Sequence, residues 1–158
     1  MIRQTLLLVA LILSGCSSTA AKNTGSGVVA APGGGGDLAI GALADASLPL
    51  GECGMILWTL EENSPAAILR VTAGKGAEMS VNGAEVKFAI SETSGAAGYG
   101  VFENQTLAAD GLSATVKVRF GLGFDGGSYL ERGLVTIEST SGWRMVIPAA
   151  GVAGCRTK

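Results

Sequence analysis

No histidine occurs anywhere in the 158 residues. A Ser-His-Asp or Cys-His device therefore cannot be assembled, and zinc sites built on imidazole go with it. Charged residues are also sparse, at 15 % of the chain, and the 11 basic residues are scattered among 13 acidic ones without a block of either sign. A phosphate backbone demands a clustered basic face, so no nucleic-acid partner is expected. Aromatic residues make up only 5 %. No Cys-x-x-Cys spacing is present, and beyond the N-terminal segment no apolar run approaches the length of a membrane span. No metal and no cofactor is expected.

Carboxylate chemistry needs no histidine, since two acids at a suitable separation are enough for a glycosidase. Glu61, Glu62, Asp110, Asp125, Glu131 and Glu138 are available. Each stands beside an expected turn or strand end, where a solvated carboxylate is ordinary. The glycine-rich segment 121–128, GLGFDGGS, lacks the following lysine and helix of a phosphate loop. It also lacks the alternating oxygen ligands of a calcium loop, because Asp125 stands almost alone. A hairpin loop is the expectation there. Trp58 and Trp143 lie within apolar runs and read as core residues rather than stacking platforms. Arg70, Lys117, Arg119 and Arg144 read as a scattered solvated set. No catalytic residue is expected, and the chain is read as a non-enzyme.

What the chain does have begins at the N-terminus. Arg3 is followed by an apolar stretch that ends at Leu13-Ser14-Gly15-Cys16. A charged start, a short apolar core and small residues before a cut form a signal peptide, and the core is too short to span a bilayer as a finished helix. With its terminal cysteine this stretch resembles the bacterial lipoprotein signal, the lipobox. The resemblance implies removal of residues 1–15, thioether diacylation of Cys16 and acylation of the new amino group. Ser17 in place of aspartate implies sorting to the outer membrane, so the expected location is the bacterial envelope, lipid-anchored and facing the periplasm.

Removing 15 of the 158 residues leaves 143, a single-domain length. Losing Arg3 takes the basic count to 10 against 13 acidic residues, a formal charge of −3. Residues 16–36 are small and nearly uncharged and end in four consecutive glycines. They form a lipidated flexible tether, whose roughly 20 residues reach about 25 Å as a random coil. Residues 37–158 are the expected β domain. Cys53 and Cys155 remain once Cys16 carries lipid, and exported chains of this kind pair such cysteines, so a disulfide closing the domain is expected. Two free thiols forming a redox or metal site is the competing arrangement.

Residues 37–48, DLAIGALADASL, allow a short helix with Asp37 as N-cap, weakened by Gly41. From Glu52 onward the period changes to two, punctuated by Gly, Asn, Asp and Ser at intervals of roughly eight to twelve residues. The expected fold is all-β, a single small antiparallel barrel or sandwich of about eight strands. Residues 54–60 and 66–73 read as strands separated by Asn63-Ser64-Pro65. Asn82-Gly83 between alternating runs is a strong hairpin signal, because both central turn residues need positive φ. A two-residue loop there pairs Val81 with Ala84, Met79 with Val86, Ala77 with Phe88 and Glu78 with Lys87. Residues 91–98 read as a loop and 99–103 as a short strand. Residues 112–120 alternate cleanly, 129–138 follow, and 143–147 form a last strand ended by Pro148 before a short tail.

Gly51-Glu52-Cys53-Gly54 together with Gly154-Cys155 resembles the cysteine surroundings of small envelope lipoproteins. Ser94-Gly95 followed by Tyr99 is similar to the SGxxY motif of the membrane-bound c-type lysozyme inhibitors. In those proteins the tyrosine comes one residue sooner, and a Trp-x-Lys-Gly continuation follows. That resemblance implies an inhibitor of a cell-wall lytic enzyme. A second alternative is a carrier holding a small apolar ligand inside a barrel. The principal expectation is a non-catalytic binding or structural role towards an envelope protein or the cell wall. Its partner surface is expected on the two richest loops, 91–98 and 121–128, through Ser94, Tyr99, Phe102, Phe124, Asp125 and Tyr129.

Overall fold

The computed structural model describes residues 38–157. The signal peptide 1–15, Cys16, the tether 16–36 and the expected cap Asp37 lie outside the described residues. Among those described are nine strands and no helix: β1 (Ile40–Gly41), β2 (Cys53–Thr59), β3 (Ala67–Thr72), β4 (Gly76–Val81), β5 (Ala84–Gly98), β6 (Val101–Ala109), β7 (Leu112–Phe124), β8 (Gly127–Ser139) and β9 (Arg144–Cys155). Consecutive strands from β2 to β9 pair antiparallel, and β9 returns to pair with β2. Eight strands thus close into an antiparallel barrel, with β1 as an extra strand on β4.

Two-residue alternation builds this wall. In β7, Ala114, Val116 and Val118 are buried while Lys117 and Arg119 face water. The Asn82-Gly83 turn has φ of 53° and 78°, and it sets the expected ladder of Val81 on Ala84, Met79 on Val86, Glu78 on Lys87 and Ala77 on Phe88. Met55, Leu57, Leu69, Val71, Met79, Leu107, Val116, Leu130 and Ile137 meet in one cluster that fills the interior.

β2 and β3 are buried on both faces, because residues 42–52 cross their outer side as a strap. Leu48 packs there on Ile56, Ala67 and Trp58. The Arg70 guanidinium donates to the carbonyls of Asp45 (3.2 Å) and Ser47 (2.9 Å), and Arg156 donates to that of Leu48 (2.8 Å). A disulfide joins Cys53 to Cys155, residues that face each other across β2 and β9. The turns at 73–75, 99–100 and 125–126 lie at the same end of the barrel as this bond, here termed the disulfide end. The Asn82-Gly83 turn lies at the opposite end.

Four local expectations are corrected. Residues 38–48 form no helix: Ile40 is fully buried beside β4, and the Asn82 side chain accepts from the Ala39 amide at 2.8 Å. β1 takes the edge of β4 that β3 leaves free, and this pairing outweighs a helix already weakened by Gly41. Residues 91–98 are the second half of β5, paired to β6 through two irregularities. They are exposed on both faces, so they carry no alternation to read. Residues 121–124 continue β7, and β8 begins at Gly127 after a turn at Asp125-Gly126. Finally, Pro148 does not end the last strand. β9 pairs with β2 only from Ala149 onward, so Pro148 lies where one edge of β9 has no strand beside it and a missing N–H is tolerated.

Candidate binding surface

The β7–β8 hairpin reaches the disulfide end between β6 and β9. Near its tip the β7–β8 register shifts between Phe120 and Gly123, which leaves Gly121 and Leu122 bulged. The buried Ser128 hydroxyl lies 3.3 Å from the Gly121 carbonyl, 3.4 Å from that of Leu122 and 3.3 Å from that of Tyr129, and its single proton serves one at a time. This hydroxyl pins the bulge, and the bulge turns Leu122 outward, 78 % exposed.

Phe124 and Tyr129 stack beside it, with ring centroids 5.0 Å apart and planes inclined by 51°. A glycine at position 127 makes room for the phenylalanine, since a β-carbon there would come within 2.3 Å of the Phe124 ring. Phe124 remains 43 % and Tyr129 52 % exposed. Burying a side chain of this size is worth about 1.5–3 kcal/mol, so three large apolar neighbours left in water on one hairpin mark a patch rather than scattered surface. The patch continues into a shallow groove of about 230 Å³ lined by Leu48, Ile56, Phe124, Val152 and the Gly154-Cys155 backbone, with Arg156 at its rim.

The six residues expected to form the partner surface separate into two groups. Phe124, Asp125 and Tyr129 share the exposed hairpin tip. Ser94 is exposed on β5, opposite Asn104, whose amide donates to its carbonyl at 3.4 Å. Tyr99 is half-buried against the main core, in a left-handed backbone conformation with φ of 54°. Phe102 is half-buried as well, and its carbonyl accepts from the Gln105 amide at 3.2 Å. Tyr99 thus packs against the core at the β5–β6 turn, while Phe102 borders an opening in the wall beside Gly100 and Gln105. Leu122, Ser128 and Gly127 build the same tip and lie outside the six expected residues. The Asp125-Gly126 dipeptide, a turn signal flanked by Phe124 and Tyr129, was the available cue.

Charges are distributed rather than gathered. Arg70 pairs with Glu78 and Arg144 with Glu138, on separate strands, while Lys75 meets Glu52 at 2.6 Å. The Ser47 hydroxyl beside the exposed Asp45 holds its carboxyl below the ordinary 3.8, with Arg70 and Arg156 assisting. No group of three or more potential metal ligands occurs among the described residues. Trp58 and Trp143 pack against the outer and main clusters, as core residues do. The chain matches no protein-family model, no curated protein and no solved structure.

Proposed function

We propose that this is a lipid-anchored envelope protein that binds a protein partner without catalysis, and that Leu122, Phe124 and Tyr129 are its contact surface. The carrying observation is the exposed, tilted aromatic pair at the hairpin tip, continuous with an apolar groove. Aromatic residues contribute most where they can be desolvated at the centre of an interface. A strand-borne pair whose rings already rest on each other loses little further conformational freedom on binding. The interior is spent on the fold, so recognition falls to the outside. Lipid on Cys16 would hold the domain at the periplasmic face of the outer membrane. An inhibitor of a cell-wall lytic enzyme is one partner relationship of this kind, reached through the Ser94 to Tyr99 resemblance.

The experiment is capture from native envelope extracts by the full chain, compared with the Phe124→Ser, Tyr129→Ser double variant. The wild type should retain a partner, while the variant should lose it with its melting temperature nearly unchanged. Cys16→Ala should move the protein to the soluble fraction while leaving capture intact. Undiminished capture by a folded double variant overturns the assignment of the surface. Adding lysozyme to the same assay separates inhibition of a lytic enzyme from binding of another kind.

A further inference from the structure

Towards the disulfide end the barrel wall is open between β4 and β5. β4 begins at Gly76, and its pairing with β5 runs only from Val81 on Ala84 to Ala77 on Phe88. Beyond Phe88, β5 pairs with β6 alone. The β5–β6 turn then leans across the top of the opening. A β-carbon on Gly100 would lie 2.5 Å from that of Ala73, so the glycine permits this close approach. The result is a framed cleft of about 470 Å³, with Gly74 to Gly76 on one side, Ile90 and Thr93 on the other and Gln105 behind. Its volume falls in the range of small-molecule sites, about 300–1,000 Å³.

Gln105 is a buried polar side chain between apolar neighbours on β6. On β6, Val101 and Leu107 share its inward side and are fully buried. Gln105 is itself only 2 % exposed. Its Nε2 donates to the Phe102 carbonyl at 3.2 Å and approaches the Met55 sulfur at 3.9 Å. The Phe102 carbonyl fixes the orientation of the amide, because only the NH₂ end can face an acceptor. That leaves Oε1 buried and without a hydrogen-bond partner among the described residues. A buried acceptor of this kind is rare in a folded protein. Its surface is closed as the side chain stands, so a donor from outside the chain satisfies it once the Gln105 amide turns towards the cleft.

We propose that this cleft binds a small neutral molecule carrying a hydroxyl or N–H donor on an apolar body, with the donor directed to Gln105 Oε1. Ile90 and the glycine-lined wall receive the apolar part. A neutral ligand fits because the amide carries no charge and the rim ammonium of Lys75 is already paired with Glu52. This site is separate from the β7–β8 tip and does not depend on it.

The test titrates the full chain with 4-ethylphenol and with its methyl ether, 4-ethylanisole, following backbone amides by NMR. The phenol should shift the amides of Lys75, Gly76, Thr93 and Gln105. The ether, which has the same apolar body and no donor, should bind at least about tenfold more weakly. Gln105→Met should bring phenol binding down to the level of the ether. Equal binding of the two probes by the wild type overturns the proposal, as does the absence of shifts at these amides up to the solubility of the phenol. The comparison of probes uses the wild type alone, so it stands even if Gln105→Met fails to fold.

Discussion

The barrel is joined along two contrasting lines, β9 to β2 and β4 to β5. The first unites the two ends of the barrel chain through seven consecutive register pairs, from Cys53 on Cys155 to Thr59 on Ala149, and locks them with a disulfide spanning 102 residues. The second needs only a two-residue turn and holds through five pairs before β5 departs. Bringing distant residues together costs more loop-closure entropy than closing a turn, so the distant line carries the longer ladder and the covalent bond. The local line forms readily from its own turn. It can therefore end early and leave an opening in the wall, which is where Gln105 is found.

The largest expected break comes from replacing both Cys53 and Cys155 with serine. In the chain-entropy model a loop of this size is worth up to about 4.7 kcal/mol, and losses of about 2–5 kcal/mol are typical. Urea unfolding of the oxidised wild type and the double variant measures this, and a loss below about 1 kcal/mol would show that the ladder alone holds the ends. Next comes the same truncation made on each line. Leu57→Ala, fully buried on β2, should cost about 2–5 kcal/mol, whereas Ile90→Ala, half-buried where β5 has left β4, should cost less than about 1.5 kcal/mol. Equal costs would erase the contrast between the two lines.

The smallest effect concerns the strap outside β2 and β3. Asp45 has a carboxyl held below its ordinary 3.8 by the Ser47 hydroxyl. A depressed value in the fold means that the ionised form contributes stability above the ordinary value, and that this is lost as pH falls through the lowered one. Because Asp45 is exposed, the effect should be slight. Asp45→Asn should melt marginally below the wild type at pH 6, and the two should converge as the solution is acidified below the ordinary value. A gap that widens on acidification contradicts this sign.

How legible each part was follows from what local sequence can encode. The β4–β5 register could be read to the residue, since Asn82-Gly83 fixes a turn and the alternation on either side admits one alignment. β7 was equally plain through Ala114, Val116 and Val118. The cysteine pairing followed from counting. Residues 91–98 were opaque because neither of their faces is buried, and the strand exists there through its ladder to β6 alone. Residues 121–128 misled because five of the eight are glycine or serine, which suits a loop, while the tip is stabilised by Ser128 and by a ring lying over Gly127. Phe124, Asp125 and Tyr129 were assigned to one region, and they do share the hairpin tip. Tyr99 packs against the core and Phe102 lines the cleft beside Gln105, placements that depend on the assembled β5–β6 hairpin rather than on local sequence. Gln105 carries no local signal, because the weight of an unpartnered oxygen appears only once its surroundings are assembled.

The strap also determines how the molecule meets a mechanical pull. It starts beside the Asn82-Gly83 turn, where the Ala39 amide binds the Asn82 side chain, and runs lengthwise to Cys53 at the opposite end. Tension applied through the N-terminus first meets β1, which has only two register pairs. It can then peel the strap as far as Glu52. At Cys53 the disulfide shares the load with Cys155, so the force can no longer travel along the chain strand by strand. Everything between the two cysteines behaves as one covalently bounded loop, and the β7–β8 tip lies within it. A tug strong enough to strip the strap would thus extend the chain ahead of Cys53 while leaving the aromatic end of the barrel in place.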